Sequence, residues 1–440
     1  MNLRERVVAI GSAVALALAC SLLRAQEPLA LSGCIDALRA ELPLHPQVRP
    51  ATFETHTRDV LDMRGVVRTA ADSQPEFKLA IWDYIGRLVD AQRIDDGRRV
   101  LDEQSAVLPA IAARRGVDAA TVVAVFGVET DYGHVVGRHR VIDATLSRAC
   151  LDLKNKERKQ HFFAALWLLQ QGLVQPDNFT GSWAGAFGLT QFMPATFVAH
   201  MASASGTGPV DIVGSAPDAL ATTANYIASL GWTEGLRWGV EVAPPRGAAR
   251  ELIAAEREHA CLGGGAAAGK CRSIEQWAAL GVTALDGPPA LPPGTPAALL
   301  APSGPDGPAW LVTRNYRAIW QYNRADAYAL AIGLLSDALR GDAPMRSAWP
   351  TDDAGLSRAE FAGVQRELIR RGYADVVADG YDGPRTRAAI KAEEALRGWP
   401  QTGRAGARIA RALAEPPAAP ELAVPPQPLA SDAEPGQRTE

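Results

Sequence analysis

The sequence lacks the patterns that usually mark metal sites and nucleic-acid surfaces. None of its five cysteines stands in a CxxC pair and no two histidines have HxxxH spacing, which argues against a bound metal. The formal net charge is −4 and no long basic run occurs, so nucleic acid is not indicated as a partner. Clean alternation of apolar and polar residues is almost absent, and the predicted fold class is therefore mainly α.

The chain has 440 residues, enough for two or three domains, and 47% of them are hydrophobic. Two arginines precede the uncharged stretch Val7–Leu23, and Ala25 offers a small residue before a cleavage point. This pattern predicts a signal peptide over residues 1–25. A retained membrane helix is the alternative. Leu18-Ala19 before Cys20 faintly resembles a lipoprotein cleavage site, so we expect membrane attachment only if Cys20 is lipidated.

Four cysteines remain beyond the signal peptide, and an even number in an exported protein predicts two disulfides. Cys34, Cys150, Cys261 and Cys271 allow three pairings. Cys261 and Cys271 flank a short Gly/Ala-rich loop and form the easiest local pair, which would leave Cys34 to join Cys150. The alternative is four unpaired buried thiols.

Apolar residues at helical spacing run through residues 29–120 and predict helices that include Phe77–Val89 and Asp96–Arg115. Residues 240–310 show no regular helical spacing of apolar residues and include Pro/Gly-rich turns. They contain strand-like pieces such as Ala309–Thr313, which predicts a small mixed or β insertion in the helical domain.

Composition divides the rest of the chain. We predict one large domain over residues 30–340, a linker over 341–354 and a small helical domain over 355–414. Residues 415–440 are rich in Pro, Ala and Glu with few large apolar side chains, which predicts a disordered tail.

The stretch Val122–Gly133 (VVAVFGVETDYG) is apolar until it reaches Glu129. Asp118 is a suitable N-cap and Gly133 a suitable stop, so we predict a short buried helix with Glu129 in its last turn. A carboxylate there is costly unless it is paired, protonated or lining a cavity. It is therefore either a salt-bridge partner or a general acid whose pKa burial has raised. Asp131 should not help it, because residues two apart on a helix point to different faces.

Two further segments suggest ligand contacts. Gly181–Thr196 combines small residues with Trp183 and Phe187, which lets backbone approach a ligand closely and offers flat faces to sugars. Gln191 in this apolar setting either binds substrate or completes a polar network. The basic residues Arg158, Lys159 and His161 begin a predicted helix, where positive charge opposes the helix dipole. They indicate either an anion site or a solvated face.

Four separated motifs resemble, in sequence and order, the type B lytic murein transglycosylases: VFGVETDYG, GSWAGAFGLTQFMPAT, DALATTANYIASLGW and NYRAIWQYN. The early segment Gln74–Phe77 is similar to that family too, and the likeness covers about residues 30–340. The C-terminal domain resembles a three-helix peptidoglycan-binding domain. Glu393 and Glu394 depart from it, since that family usually has an aromatic residue and a glutamine there, and the strength of glycan binding is an open question.

The resemblance implies a lysozyme-like helical domain that cleaves the MurNAc–GlcNAc β-1,4 bond of peptidoglycan without water. The MurNAc C6 hydroxyl attacks C1 of its own ring and leaves a 1,6-anhydro end. Glu129 would be the single acid and base, with the substrate's N-acetyl group assisting at the oxocarbenium-like intermediate. This differs from the two-carboxylate glycosidases. No cofactor is implied.

Other roles follow by motif position. Ser182 and Gln191 would bond sugar N-acetyl or hydroxyl groups, and Tyr226 would line the cleft. Tyr322 and Asn323 would hold the catalytic acid and the reacting sugar.

The resemblance also implies a basic contact to the stem peptide or lactyl carboxylate, made by Arg158 with Lys159 in place of a second arginine. Lysine keeps the charge but loses the bidentate fork. Some family members bind calcium in a loop that here offers only Asp211 as a carboxylate, so we predict no metal.

The expected partner is the glycan strand of peptidoglycan, with other cell-wall enzymes as a second class of partner. The expected location is the periplasm, with outer-membrane association as an open alternative. Two other functions stay open: a non-catalytic peptidoglycan-binding protein, and a hydrolytic muramidase that uses Asp131 or another acid with water.

Overall fold

The computed structural model describes residues 29–243, 259–263, 271–285 and 291–415. The chain divides between Thr351 and Asp352 into two compact units. The predicted signal peptide, Cys20 and nearly all of the predicted disordered tail lie outside the described residues and stay predictions. Within the described ranges, no helix is long and apolar enough to cross a lipid bilayer.

Helices dominate the first unit, which confirms the mainly α fold class. In chain order they are α1 (Leu31–Ala40), α2 (Pro50–Thr57), α3 (Arg64–Ala71), α4 (Pro75–Lys78), α5 (Ile81–Leu88), α6 (Ala91–Glu103), α7 (Leu108–Arg115), α8 (Ala119–Thr130), α9 (Val141–Leu151), α10 (Lys156–Gln170), α11 (Pro194–His200), α12 (Ala216–Ser229), α13 (Ile274–Ala279), α14 (Arg314–Asn323) and α15 (Asp326–Arg340). Short 3₁₀ turns occupy Leu42–Leu44, Pro176–Asn178 and His259–Leu262.

Two predicted helices are each broken in the structure. The predicted helix Phe77–Val89 is wrong as one piece, because Leu79 is extended and separates α4 from α5. The predicted helix Asp96–Arg115 is interrupted after Glu103, and α7 restarts with a proline in its first turn. Proline suits a first turn because its missing N–H is not needed there. Apolar periodicity continues across both breaks, so it did not reveal them.

The core of the first unit has two helical parts. In one, α8 packs against α6, α12 and α15, and its apolar residues are buried on every side. In the other, α9, α10 and α11 enclose an aromatic cluster that includes Phe162, Phe187 and Phe197. A disulfide between Cys34 and Cys150 joins α1 to α9.

The predicted β insertion is present as a four-stranded antiparallel sheet in the order β3 (Gly239–Val242), β6 (Ala309–Val312), β5 (Pro296–Leu300) and β4 (Arg272–Ser273). A separate short pair joins β1 (His139–Arg140) to β2 (Thr180–Gly181). The sheet packs on the buried Trp277 of α13. A second disulfide joins Cys261 to Cys271 next to β4.

The second unit consists of α16 (Arg358–Arg370), α17 (Pro384–Leu396) and α18 (Ala407–Ala414). Ser357 and Glu360 form a capping box at the start of α16. The three helices bury a small apolar core that includes Phe361, Leu368 and Ile390.

Candidate active site

Glu129 lies in the last turn of α8, as the sequence predicts. Asp118 caps the helix, because its side chain accepts a hydrogen bond from the Thr121 backbone N–H at 3.0 Å. The helix ends at Thr130, before the predicted stop at Gly133. Asp131 and Tyr132 end it by adopting left-handed φ values of 53° and 55°. Two consecutive non-glycine residues in this region store backbone strain, a feature that clusters at active sites.

Arg93 holds this strained turn in place from α6. Its Nη1 donates to the Gly127 carbonyl at 2.5 Å, and its Nη2 lies 3.4 Å from Asp131 Oδ1. The Tyr132 hydroxyl donates back to the Arg93 carbonyl at 2.9 Å. Gly127 has to be glycine, since a Cβ there would lie 2.6 Å from the Tyr132 ring. Asp131 is thus buried and paired with Arg93, which agrees with the expectation that it does not share a substrate atom with Glu129.

The Glu129 carboxyl accepts a hydrogen bond from the Tyr328 hydroxyl, with 2.5 Å between Tyr328 Oη and Glu129 Oε1. Burial raises the pKa of Glu129 to about 8; the Tyr328 hydrogen bond opposes the shift, and the charge of Glu76 adds to it. The Glu129 side chain still keeps part of its surface exposed. It is therefore mostly protonated at neutral pH yet accessible, which is the state that a general acid needs.

A second carboxylate, Glu76 on α4, lies within electrostatic range of Glu129. Its Oε1 accepts hydrogen bonds from Asn323 Nδ2 at 3.2 Å and from Gln74 Nε2 at 3.3 Å. Glu76 thereby connects α4 to the end of α14 and fixes the amide of Asn323, a predicted substrate-binding residue.

Aromatic rings form one wall beside Glu129. The Tyr322 ring centroid lies 5.2 Å from that of Tyr226, 5.7 Å from that of Phe192 and 6.2 Å from that of Tyr328. We expected Tyr322 to hold the acid, but its hydroxyl donates to the Thr190 carbonyl at 2.8 Å. Tyr328 makes the contact instead, because it lies in the first turn of α15, the helix that packs along α8.

The glycine-rich segment after β2 folds into a tight loop. Ser182 Oγ accepts hydrogen bonds from the backbone N–H groups of Ala184 and Ala186, both at 3.2 Å, so its own O–H is left to donate elsewhere. Gln191 has a left-handed φ of 50°, and its Nε2 donates to the Gly188 carbonyl at 2.9 Å. Its Oε1 receives no hydrogen bond from the described residues, which leaves an acceptor for a ligand.

The three basic residues at the start of α10 have different surroundings. Arg158 lies close to Arg148, whose Nη1 donates to the Ala184 carbonyl of the glycine-rich loop at 2.9 Å. Lys159 pairs with Glu41, with 2.7 Å from Nζ to Oε1. Burial lowers the pKa of His161 to about 4, and the charge of Arg148 adds to this effect. Lys159 therefore has a structural partner, and His161 carries no charge at neutral pH.

The sequence did not identify Tyr328, Glu76 or Arg148 as parts of this site. Glu76 had a signal, because it lies in the Gln74–Phe77 segment that resembles the family. Within the described ranges, no cluster of three or more His, Cys, Asp or Glu side chains could hold a metal ion.

The fold and the site define a lysozyme-like helical transglycosylase domain. Residues 32–337 match the family of transglycosylase SLT domains, and residues 357–413 match a family of peptidoglycan binding domains. Since the first match covers well over half of the chain, the protein belongs to the SLT transglycosylase family.

Known proteins of this family are similar over different lengths. The membrane-bound lytic murein transglycosylase B of Escherichia coli (strain K12) is 31% identical over 236 residues, 51% of this chain and 57% of that protein. The match thus spans little more than half of that relative. SltB3 from Pseudomonas aeruginosa in complex with NAG-anhNAM-pentapeptide is 36% identical, with 88% of this chain and 99% of that chain covered and a TM-score of 0.64. SltB1 from the same organism, at 24% identity over 70% of this chain and 99% of its own with a TM-score of 0.57, shares the fold.

Proposed function

We propose that the protein is a lytic transglycosylase of peptidoglycan in which Glu129 is the single acid and base. The observation that carries this proposal is the Glu129 carboxyl group, which is held by Tyr328, raised in pKa to about 8 and accessible to a ligand. Family membership and the similarity to SltB3, solved with NAG-anhNAM-pentapeptide, support the substrate class.

In the proposed reaction, Glu129 first donates a proton and then accepts one. Protonated Glu129 donates its proton to the glycosidic oxygen as the bond from that oxygen to MurNAc C1 breaks. The Glu129 carboxylate is stabilised by the Tyr328 hydroxyl and then accepts the proton of the MurNAc C6 hydroxyl. The C6 oxygen bonds to C1 and closes the 1,6-anhydro ring. No water is consumed, and Glu129 ends as it began.

The surrounding residues would position the sugars. The free O–H of Ser182 and the free Oε1 of Gln191 suit an N-acetyl group, which has one acceptor and one donor. Tyr226 and Tyr322 supply a ring wall, and Asn323 is oriented by Glu76. We retain Arg158 as a contact for a substrate carboxylate and assign none to Lys159, because Glu41 engages it.

Hydrolysis is the second candidate, and the presence of Glu76 near Glu129 is the observation that favours it. A hydrolytic glycosidase needs a second carboxylate to activate water or to attack C1. Glu76 is instead bonded by Asn323 and Gln74, which fixes it as a structural acceptor.

The masses of muropeptides released from purified sacculi separate these functions. We expect 1,6-anhydro ends from the wild-type protein, and Glu129→Gln should abolish their release. Reducing ends heavier by one water would indicate hydrolysis, and full activity of Glu129→Gln would refute the role of Glu129. Binding without any release by the wild-type protein would indicate the non-catalytic alternative.

We further propose that residues 355–414 attach the enzyme to peptidoglycan and that the protein works in the periplasm. Glu393 and Glu394, which raised the question about glycan binding, are 3% and 6% exposed and bonded within the second unit. Because both side chains point into the unit, the departure at these two positions does not place negative charge on its exposed surface. Sacculus pull-down with and without residues 352–440 tests the attachment.

A further inference from the structure

The loop between α11 and α12 has the residue spacing of a calcium-binding loop. Such loops place oxygen ligands at their first, third and fifth positions, a glycine at the sixth and a bidentate carboxylate at the twelfth. Counted from Ser203, the third and fifth positions are Ser205 and Thr207, and the sixth is Gly208, which has a left-handed φ of 87°. The spacing and the turn that suit a bound cation are therefore present.

The side chains at these positions do not suit a divalent cation. The first, third and fifth positions carry hydroxyl groups in place of carboxylates, and the twelfth is Gly214, which has no side chain. The hydroxyls bond within the loop, because Ser203 Oγ and Ser205 Oγ lie 2.8 Å apart and are 2.9 Å and 2.7 Å from the Thr207 carbonyl oxygen. Calcium takes six to eight oxygen ligands, and its affinity follows the number of charged ones. This donor set therefore does not fit calcium.

The two carboxylates of the segment are engaged by backbone N–H groups. Asp211 Oδ1 accepts from the N–H groups of Val213 and Gly214 at 2.8 Å and 2.9 Å. Asp218 accepts from the Ala204 N–H at 2.8 Å and from the Asp211 N–H at 3.1 Å. Backbone donors stabilise both negative charges without a metal ion.

A guanidinium supplies positive charge at the loop. Arg114, in the last turn of α7, donates from Nη2 to the Ala204 carbonyl. Its Nη1 lies against the turn at Gly206, where an added Cβ would be 3.2 Å away. Since the N–H of Ala204 is bonded by Asp218, one residue of the loop connects the cation to the anion. A calcium ion in the loop would be repelled by this guanidinium.

The loop also connects to α12, the helix that carries Tyr226 of the proposed cleft wall. Thr222 Oγ1 lies 3.2 Å from both the backbone nitrogen and the carbonyl oxygen of Ala202, and Asn225 Nδ2 donates to the His200 carbonyl at 2.8 Å. The His200 ring centroid is 4.8 Å from that of Tyr226. A stable loop therefore helps to hold this side of the cleft.

We propose that Arg114 takes the place of a metal ion in this chain and, with the hydroxyls of Ser203 and Ser205, stabilises the loop between α11 and α12 without calcium. Calcium, which some members of the family bind in a loop here, is thereby replaced by a residue of the protein. The inference concerns the folded loop and does not rest on the proposed reaction.

Calcium titration and thermal unfolding of the full chain test the proposal. We expect no heat of binding to the wild-type protein at up to about 10 mM Ca²⁺, which exceeds the dissociation constants of weak extracellular calcium modules. The unfolding temperature should be the same in Ca²⁺ and in EDTA. Arg114→Gln should lower it by about 2 °C in both media. Arg115→Gln removes the same charge from the neighbouring exposed residue and is the matched control, which should unfold as wild type does.

A reverse design tests whether the loop keeps the geometry of a calcium loop. In the Arg114→Gln background, the substitutions Ser203→Asp, Ser205→Asp and Thr207→Asp together should create a site with a Kd of about 1 mM or tighter, and Ca²⁺ should then raise the unfolding temperature. The same three substitutions with Arg114 retained should bind Ca²⁺ roughly tenfold more weakly.

Binding of Ca²⁺ to the wild-type protein, or stabilisation of it by Ca²⁺ over EDTA, would overturn the proposal. Equal unfolding temperatures for Arg114→Gln and Arg115→Gln would overturn the role of Arg114. A redesigned loop that binds no Ca²⁺ would overturn the claim that a guanidinium stands where an ion could. All of these measurements are independent of turnover, so a failure of the proposed reaction would leave them unchanged.

Discussion

In the first unit, Glu129 meets one protein donor among the described residues, the Tyr328 hydroxyl. In the second unit, Glu393 lies between Arg371 and Arg397, and Glu394 accepts from Thr402 Oγ1 at 2.5 Å and from the Gly403 N–H at 2.7 Å. All three carboxyl groups are largely removed from water. The difference is that Glu393 contacts two arginines and Glu394 accepts two hydrogen bonds in the second unit, whereas Glu129 accepts only the Tyr328 hydrogen bond from the described residues.

The surroundings of Glu393 and Glu394 suit a structural glutamate, whereas those of Glu129 suit the proposed general acid. Arginines and backbone donors stabilise an ionised carboxylate, so a group placed among them holds the fold together. Burial and the negative charge of Glu76 raise the pKa of Glu129, and only the Tyr328 hydrogen bond lowers it. Glu129 therefore keeps its proton at neutral pH. Under the proposed function, the same residue type serves packing in the second unit and proton transfer in the first.

The largest expected effect is on activity. Glu129→Gln removes the only proposed proton donor while keeping the shape of the side chain, so release of anhydro-muropeptides should fall by roughly 10³-fold or more. Thermal unfolding should change little. Glu103→Gln, at the exposed end of α6, is the control and should behave as wild type. Comparable activity in the two variants would show that Glu129 is not the catalytic acid.

The next effect is on stability, in the second unit. Glu393→Gln leaves the buried ends of Arg371 and Arg397 without their anion, which should cost about 3 kcal/mol of unfolding free energy. Glu394→Gln keeps one acceptor oxygen and should cost only about 1 kcal/mol. Denaturant unfolding of the full chain, followed through the second unit, measures both. Turnover of soluble glycan strands should stay at the wild-type level, and a loss there would mean that Glu393 is not merely structural.

A smaller effect is expected at the partner of Glu129. Tyr328→Phe removes the hydrogen bond that opposes the raised pKa, so the pKa of Glu129 should rise above about 8. Activity should drop about tenfold, because the carboxylate formed in the reaction loses its donor. The alkaline limb of the pH–rate profile, which reports loss of the acid's proton, should move to higher pH. A shift to lower pH would show that Tyr328 acts in another way.

The smallest effect, and the one opposite in sign, is expected at Glu76. Glu76→Gln keeps an acceptor for Asn323 but removes the negative charge that raises the pKa of Glu129. The alkaline limb should therefore move to lower pH, with only a few-fold change in rate near pH 6. If Glu76 were instead the second carboxylate of a hydrolase, activity would be lost at every pH.

Local sequence patterns predicted the parts of this site that one segment determines. Asp118, the apolar run and Glu129 lie within twelve residues, so capping and hydrophobicity were enough to place Glu129 in the last turn of a buried helix. The end of that helix was misplaced, because Arg93 on another helix stabilises the left-handed Asp131 and Tyr132.

Contacts between distant segments could not be read from local patterns. The Tyr328–Glu129 hydrogen bond joins residues 199 positions apart in the sequence, and the Asn323–Glu76 hydrogen bond joins residues 247 positions apart. Glu393 and Glu394 illustrate the same limit in the second unit. The sequence showed a departure from an aromatic residue and a glutamine, but only packing showed that both side chains point inward and that Arg371, on another helix, joins Arg397 as a partner of Glu393.

The ionisation of Glu129 itself tests the central claim most directly. Carbon-13 NMR of carboxyl-labelled glutamate, recorded against pH for the wild-type protein and for Glu129→Gln, would identify its resonance by difference. The account predicts one carboxyl group that titrates near pH 8 and disappears in the variant. A Glu129 resonance that titrates near the ordinary glutamate value of 4.5 would contradict it, because the group would then hold no proton to donate at neutral pH.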